Sequence, residues 1–392
     1  DDDKEINAGR IYVRYGVSTS GGTSNLPDEI NGMVIDGVNL GDLAGGAVGS
    51  IADMNGDGLA EILVGAPMMD KSAVVDAGVA FVVWGKGTGG GVDLGDLYAG
   101  GGSGDGFAIK GEATGDHAGE AITSIADLNG DGKAEILVGA AGNNAGGADA
   151  GAAYIVFGKS ADSVVNLTTV AAGTGGYRII GQAAGDNAGH ALGSVADLNG
   201  DGKAEILVGA YSNDAGGAEA GAAYVVFGQS ATTQIDLDNI AAGTGGFRIT
   251  GMAGSQAGAA LSGLGDINGD GLSDIFVGAP GNNHAYVVFG KSTTSEVLLS
   301  DVAAGIGGFA INAENAGDLV GLSITGGGDF NRDGIADFVI GAPHNNEGGF
   351  NAGAVYIVWG GATSTVDLSL VAQSIGGAKI VGVSGSLTGS SV

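Results

Sequence analysis

Five short stretches of this chain carry oxygen-bearing side chains at a spacing that suits a hard cation. From Asp127 to Glu135, the residues Asp127, Asn129, Asp131 and Glu135 stand at positions 1, 3, 5 and 9, with Gly132 at position 6. The pattern recurs as Asp53, Asn55, Asp57 and Glu61; Asp197, Asn199, Asp201 and Glu205; Asp266, Asn268, Asp270 and Asp274; and Asp329, Asn331, Asp333 and Asp337. Alternate residues of a tight loop point inward, so three short side chains converge. The acid at position 9 and the main-chain carbonyl at position 7 then complete six or seven oxygens; those carbonyls belong to Leu59, Lys133, Lys203, Leu272 and Ile335. Oxygen ligands without nitrogen or sulfur select Ca2+ over Zn2+ or copper. The glycine permits the sharp turn. An EF-hand opens the same way but needs an acid at position 12 and flanking helices, and this pattern has neither. Asp, Asn and Gly also make good turns, but a turn alone does not require an acid at position 9 in all five copies. We therefore expect about five Ca2+ per chain. Three carboxylates in one loop repel one another, so folding should be coupled to the metal.

The loops recur at intervals of 74, 70, 69 and 63 residues, a period suited to a three- or four-stranded propeller blade. Each unit opens with a Gly/Ala/Ser-rich piece such as residues 189–196. The acidic loop, an apolar run such as 205–210, a polar loop, a second apolar run such as 222–228 and an alternating piece such as 247–250 follow in order. Short runs rich in Val, Ile, Tyr and Phe and bounded by glycine predict strands, four per unit. The second and third are almost wholly apolar, which predicts cover on both faces. The first, full of small residues, fits a crowded centre. An aromatic followed by Gly ends the third strand in every unit, at Tyr15, Trp84, Phe157, Phe227, Phe289 and Trp359, and is read as packing between blades.

Composition narrows the function. Among 392 residues, 14 basic against 44 acidic groups give a net charge of -30, which excludes nucleic acid and anionic lipid as partners. Five Ca2+ would bring the formal charge to -20. No cysteine is present, so disulfides and thiol chemistry are excluded. No apolar run approaches the roughly 18–20 residues of a membrane span, and Asp1–Glu5 is no signal peptide. His117, His190, His284 and His344 are read as incidental, the first two near the start of first strands and the others in loops between second and third strands; they assemble no triad or metal pair. Asn166 matches a glycosylation acceptor, a pattern that is uninformative alone. The loops at 143–150 and 213–220 are candidate ligand contacts by exposure.

In order, Phe-x-Ile-x-Gly, Gly-Asp-x-Ala-Gly, Ala-Asp-Leu-Asn-Gly-Asp-Gly, Ile-Leu-Val-Gly-Ala and Gly-Ala-Ala-Tyr-Val-Val-Phe-Gly resemble the FG-GAP repeat of integrin α-subunit propellers and are similar to bacterial exported FG-GAP proteins. The resemblance implies an all-β fold, a β-propeller of four-stranded antiparallel blades, often seven, with Ca2+ in the hairpin loop between the first two strands. One propeller domain over 1–392 is expected, with five complete blades around Asp53, Asp127, Asp197, Asp266 and Asp329. Aligning Gly16 with Gly158, and Gly385, Gly389 and Val392 with Gly254, Gly258 and Leu261, leaves half-units at 1–37 and 378–392. These make a sixth, seam blade, or a seventh exists if the natural chain is longer. The resemblance further implies a secreted or surface binding or adhesion module, not an enzyme, that recognises an extracellular protein or glycan. The alternatives are a structural subunit of a surface layer, appendage or extracellular assembly, self-assembling through the half-blades, and a non-catalytic propeller attached to a secreted hydrolase. No membrane insertion is expected.

Overall fold

The computed structural model describes residues 9–15, 32–100, 104–230, 233–326 and 328–392. They pack as two compact units. The first comprises Asp1–Asn143, Tyr154–Arg178 and Thr232–Gln234; the second comprises Asn144–Ala153, Ile179–Ala231 and Ile235–Val392.

The repeat is seen whole in the second unit. Strands Ala191–Val195, Glu205–Ala210, Ala222–Val226 and Gly246–Thr250 form an antiparallel meander in which each strand pairs with the next. The acidic loop is the turn between the first two. Every residue of the second and third strands is buried, as their unbroken apolar runs require. Two further sheets follow the same order, ending in Gly308–Asn312 and Gly377–Val381. One core cluster joins Leu207, Val225 and Phe247 of the Asp197 sheet to Ile275, Val277 and Tyr286 of the Asp266 sheet. In the next layer, Phe276 meets Phe338 edge-on at 5.2 Å. Stacked four-stranded meanders carried on a sequence repeat are the blades of a β-propeller.

The small residues of the first strands have a steric cause. Neighbouring first strands approach backbone to backbone: a Cβ at Gly263 would lie 2.3 Å from the Ser194 carbonyl oxygen, and one at Gly326 would lie 2.6 Å from that of Gly263. Only glycine leaves room.

In the first unit, Ala47–Ile51, Glu61–Ala66, Val79–Val83 and Gly106–Lys110 make a complete sheet, and Ile122–Ile125 pairs with Glu135–Ala140 as the hairpin of the next repeat. The half-unit expected at 1–37 lies partly outside the described residues; within them, Arg10–Arg14 pairs antiparallel with Gly32–Asp36. At the other end, Gly377–Val381 is the fourth strand of the Asp329 sheet, and residues 382–392 form no further strand but hydrogen-bond along residues 350–353 and to Ser323, with a bridge from Thr388 to Gly353.

Four strands per sheet understates the architecture. The connection between third and fourth strands reaches the fourth strand of the preceding sheet and pairs with it in parallel, as Val297 and Leu298 do with Ile249 and Thr250. A helix of four to six residues follows, such as Leu237–Ala241, whose Leu237 and Ile240 are buried and whose first turn is capped by Asp236. These additions cover sheet edges that would otherwise expose unpaired main chain. Asn166 opens the corresponding helix. His284, expected in a loop, instead begins strand His284–Val288. Four of the six aromatics after third strands meet a ring on the fourth strand of their own sheet: Trp84 meets Phe107, Phe157 meets Tyr177, Phe227 meets Phe247 and Phe289 meets Phe309. Phe227 also packs on the cluster between sheets. No helix among the described residues is long and apolar enough to cross a membrane.

Candidate metal centres

Each acidic loop is built on one hydrogen-bond scheme. The carboxylate at position 1 accepts the N–H of position 6 through Oδ2: Gly58 to Asp53 at 2.8 Å, Gly132 to Asp127 at 2.7 Å, Gly202 to Asp197 at 2.9 Å, Gly271 to Asp266 at 2.7 Å and Gly334 to Asp329 at 2.8 Å. Position 3 accepts through its amide oxygen from position 5, as Asn129 does from Asp131. Position 5 accepts the N–H of position 7, as Asp57 does from Leu59, Asp131 from Lys133, Asp201 from Lys203, Asp270 from Leu272 and Asp333 from Ile335. The scheme holds side-chain oxygens inside the turn. It needs left-handed backbone at position 4, supplied by Gly56, Gly130, Gly200 and Gly269; in the Asp329 loop Arg332 takes that conformation at φ 65°.

Position 9 roots the loop in the sheet. Glu61, Glu135, Glu205, Asp274 and Asp337 begin or immediately precede the second strand, are fully buried, and each accepts the N–H of position 2: Met54, Leu128, Leu198, Ile267 and Phe330. The second carboxylate oxygen differs between loops. Glu61, Asp274 and Asp337 accept from Gly85, Gly290 and Gly360, the glycine after the third-strand aromatic, at 2.8, 2.9 and 2.8 Å. Glu205 Oε1 instead faces Asn199 Nδ2 of its own loop at 3.1 Å, and Glu135 Oε1 is buried without a hydrogen-bond partner.

Among the described residues, two loops accordingly gather three carboxylates with oxygens within 4.8 Å of one another: Asp127, Asp131 and Glu135, and Asp197, Asp201 and Glu205. The other three proposed sets do not meet that distance. Burial raises Glu135 and Glu205 to about 7, helped by the neighbouring loop aspartates, and raises Asp274 to about 6. For Asp53 and Asp127 the opposite holds, because main-chain N–H groups lower them. Acceptor-only oxygens around an orphaned buried carboxylate oxygen fit a hard cation that would balance the charge.

Sequence reasoning missed the three receiving glycines. It also missed a buried polar relay at the other end of the sheets. Asn143 donates to Asp116 and touches the Tyr154 hydroxyl; Asn213 does the same with Asp186 and Tyr224, and Asn345 with Asp318 and Tyr356. Tyr154 and Tyr356 then donate to Glu112 and Glu314, and Tyr224 donates to Gln182; Arg178 and Lys379 pair with the two glutamates. The signal was available: Asp to Asn is 27 residues and Asn to Tyr is 11 in all three. Of the histidines, His190 packs on Tyr211 with ring centroids 4.5 Å apart, and His284 stacks on Tyr286.

Residues 118–156, 188–226, 257–294 and 320–358 each match the FG-GAP repeat, which takes in the loops at Asp127, Asp197, Asp266 and Asp329. The chain is similar to integrin alpha-4 of Xenopus laevis, 29% identical over 182 residues, 45% of this chain and 15% of that protein. It is 31% identical to integrin alpha-6 of Gallus gallus over 153 residues, 38% of this chain and 13% of the relative. Integrin alpha-M of Mus musculus is 37% identical over 91 residues, 22% of this chain and 7% of the relative. The chain thus spans a small part of the length of these relatives.

Proposed function

We propose that this chain, an FG-GAP repeat protein of the integrin-α-like kind, is a calcium-stabilised extracellular binding module without catalytic activity. The observation that carries the reading is the convergence of Asp127, Asp131 and Glu135, and of Asp197, Asp201 and Glu205, whose carboxylate oxygens lie within 4.8 Å of one another in each loop. Asp, Asn and main-chain oxygens at positions 1, 3, 5, 7 and 9 would hold the cation in all five loops. The cation would supply the positive charge that lets three carboxylates share one turn.

Ligand recognition is placed at the other end of the sheets. In a four-stranded meander the turns between strands one and two lie at one end, and those between two and three lie at the other with the links to the next sheet. In the second unit an open cavity of about 720 Å³ lies at that latter end, lined by Glu314, Asn315, Asp318, Asn346 and Glu347 with Gln373. Its carboxylates and amides suit the hydroxyls of a glycan or a basic stretch of protein.

The test is metal content and thermal unfolding of one purified sample, with millimolar Ca2+ and again after EGTA. The reading expects about five Ca2+ per chain and a large loss of stability on chelation. No bound calcium and unchanged melting would reduce the loops to turns. Binding to immobilised glycans and matrix proteins, with Glu314→Gln and Glu347→Gln variants, then locates the ligand face.

A further inference from the structure

We propose that the five loops are two classes of calcium site: the Asp127 and Asp197 loops bind tightly, and the Asp53, Asp266 and Asp329 loops bind weakly because their position-9 acid is spent as a main-chain clamp. This inference rests on the calcium reading above and ranks the sites within it.

The two kinds of loop differ in where the second oxygen of position 9 is directed. In the Asp53, Asp266 and Asp329 loops both oxygens are engaged by main-chain N–H groups, one at position 2 and one at Gly85, Gly290 or Gly360. Each carboxylate therefore ties its loop to the end of the third strand, a connection that exists without metal. Its oxygens are drawn toward the sheet, and the three carboxylates of those loops do not come within 4.8 Å of one another. A cation there would be held mainly by positions 1, 3, 5 and 7, with the acid either absent from the shell or pulled off its clamp at a cost.

The Asp127 and Asp197 loops are arranged the other way. Glu135 and Glu205 use one oxygen on position 2. The other oxygen stays inside the loop, without a hydrogen-bond partner in Glu135 and opposite the Asn199 amide in Glu205. The unpartnered oxygen of Glu135 is destabilising until something positive meets it, whereas that of Glu205 accepts one hydrogen bond from the Asn199 amide. Calcium affinity follows the number of charged ligands and the rigidity of the shell, so these two loops gain a third preorganised carboxylate that the other three lack.

Glutamine at position 9 separates the classes. In Glu61→Gln the amide NH2 replaces an oxygen that accepts from Met54 or Gly85, so the clamp is lost. In Glu135→Gln and Glu205→Gln it replaces an oxygen that holds no main-chain N–H, and position 2 keeps its acceptor. Calcium binding to the intact chain, followed by equilibrium dialysis, is expected to show two sites at least about tenfold tighter than the remaining three. The double variant Glu135→Gln/Glu205→Gln should lose the tight class and keep or raise its metal-free melting temperature. Glu61→Gln should keep the tight class and melt lower without metal. Should the double variant fail to fold, by circular dichroism in millimolar Ca2+, each single variant should lose one tight site. Five sites of equal affinity, or loss of a tight site in Glu61→Gln, would overturn the ranking while leaving the calcium reading intact. No calcium bound at any concentration would overturn both.

Discussion

At the scale of single residues, burial sets the protonation of Glu135 and Glu205, and the neighbouring loop aspartates add to it. Glu135 and Glu205 sit near 7 in the folded chain, against an ordinary value of 4.5. Because the folded-state value lies above the unfolded one, the metal-free folded state holds these protons more tightly. Its stability should therefore fall as pH rises from about 4.5 to about 7 and level off beyond. Urea unfolding of metal-free protein across that range checks the sign, and saturating Ca2+ should remove the decline at its upper end. Arg332 offers a second check: it holds left-handed backbone where four sister loops have glycine, so Arg332→Gly should raise stability by about 1 kcal/mol. In the polar relay, Asn213→Ala strips the amide donor from Asp186 and leaves that buried carboxylate with the Ala183 N–H. A loss of about 1–3 kcal/mol is expected in chemical denaturation. The loop acids were legible because type, spacing and recurrence agree. The role of the receiving glycines was not, since Gly85 lies 24 residues from Glu61 and the same glycine follows the aromatic in every unit, whether or not it meets the carboxylate.

Elements are constrained by packing between sheets as well as by pairing within them. The first strands carry the sharpest constraint, because neighbouring backbones meet with no room for a side chain. Gly263→Val would drive a branched side chain into Ser194 and Val195, with an expected loss of about 1–3 kcal/mol or failure to fold. A thermal melt in calcium reads the result. Strands two and three were predicted from apolar runs of five to seven residues, and their burial on both faces follows the same pattern. The short parallel strand and helix were not predicted. Two residues such as Val297 and Leu298 are too few to show a period, and their partner Ile249 lies in the preceding repeat.

For the whole molecule, the charge of -30 and the five acidic loops act together. Calcium that binds only the folded chain adds about 2.7 kcal/mol per site at one hundred times its Kd, so the melting temperature should climb with free Ca2+ and continue climbing as weaker sites fill. Magnesium is a poor substitute in a flexible shell of six or seven oxygens, and the same titration with Mg2+ should give a smaller shift. The sequence by itself determined the repeat, the all-β class, the four meandering strands and the acidic loops, because each is a local pattern written several times over. Only the tertiary structure decided which position-9 carboxylates are clamped by a distant glycine and which stay inside their loops. It also decided how buried Asp, Asn and Tyr join into a relay, and where a connection reaches back to cover the previous sheet. Those outcomes depend on main-chain groups far apart in sequence arriving at one place, and a main-chain N–H has no signature in the identity of its residue.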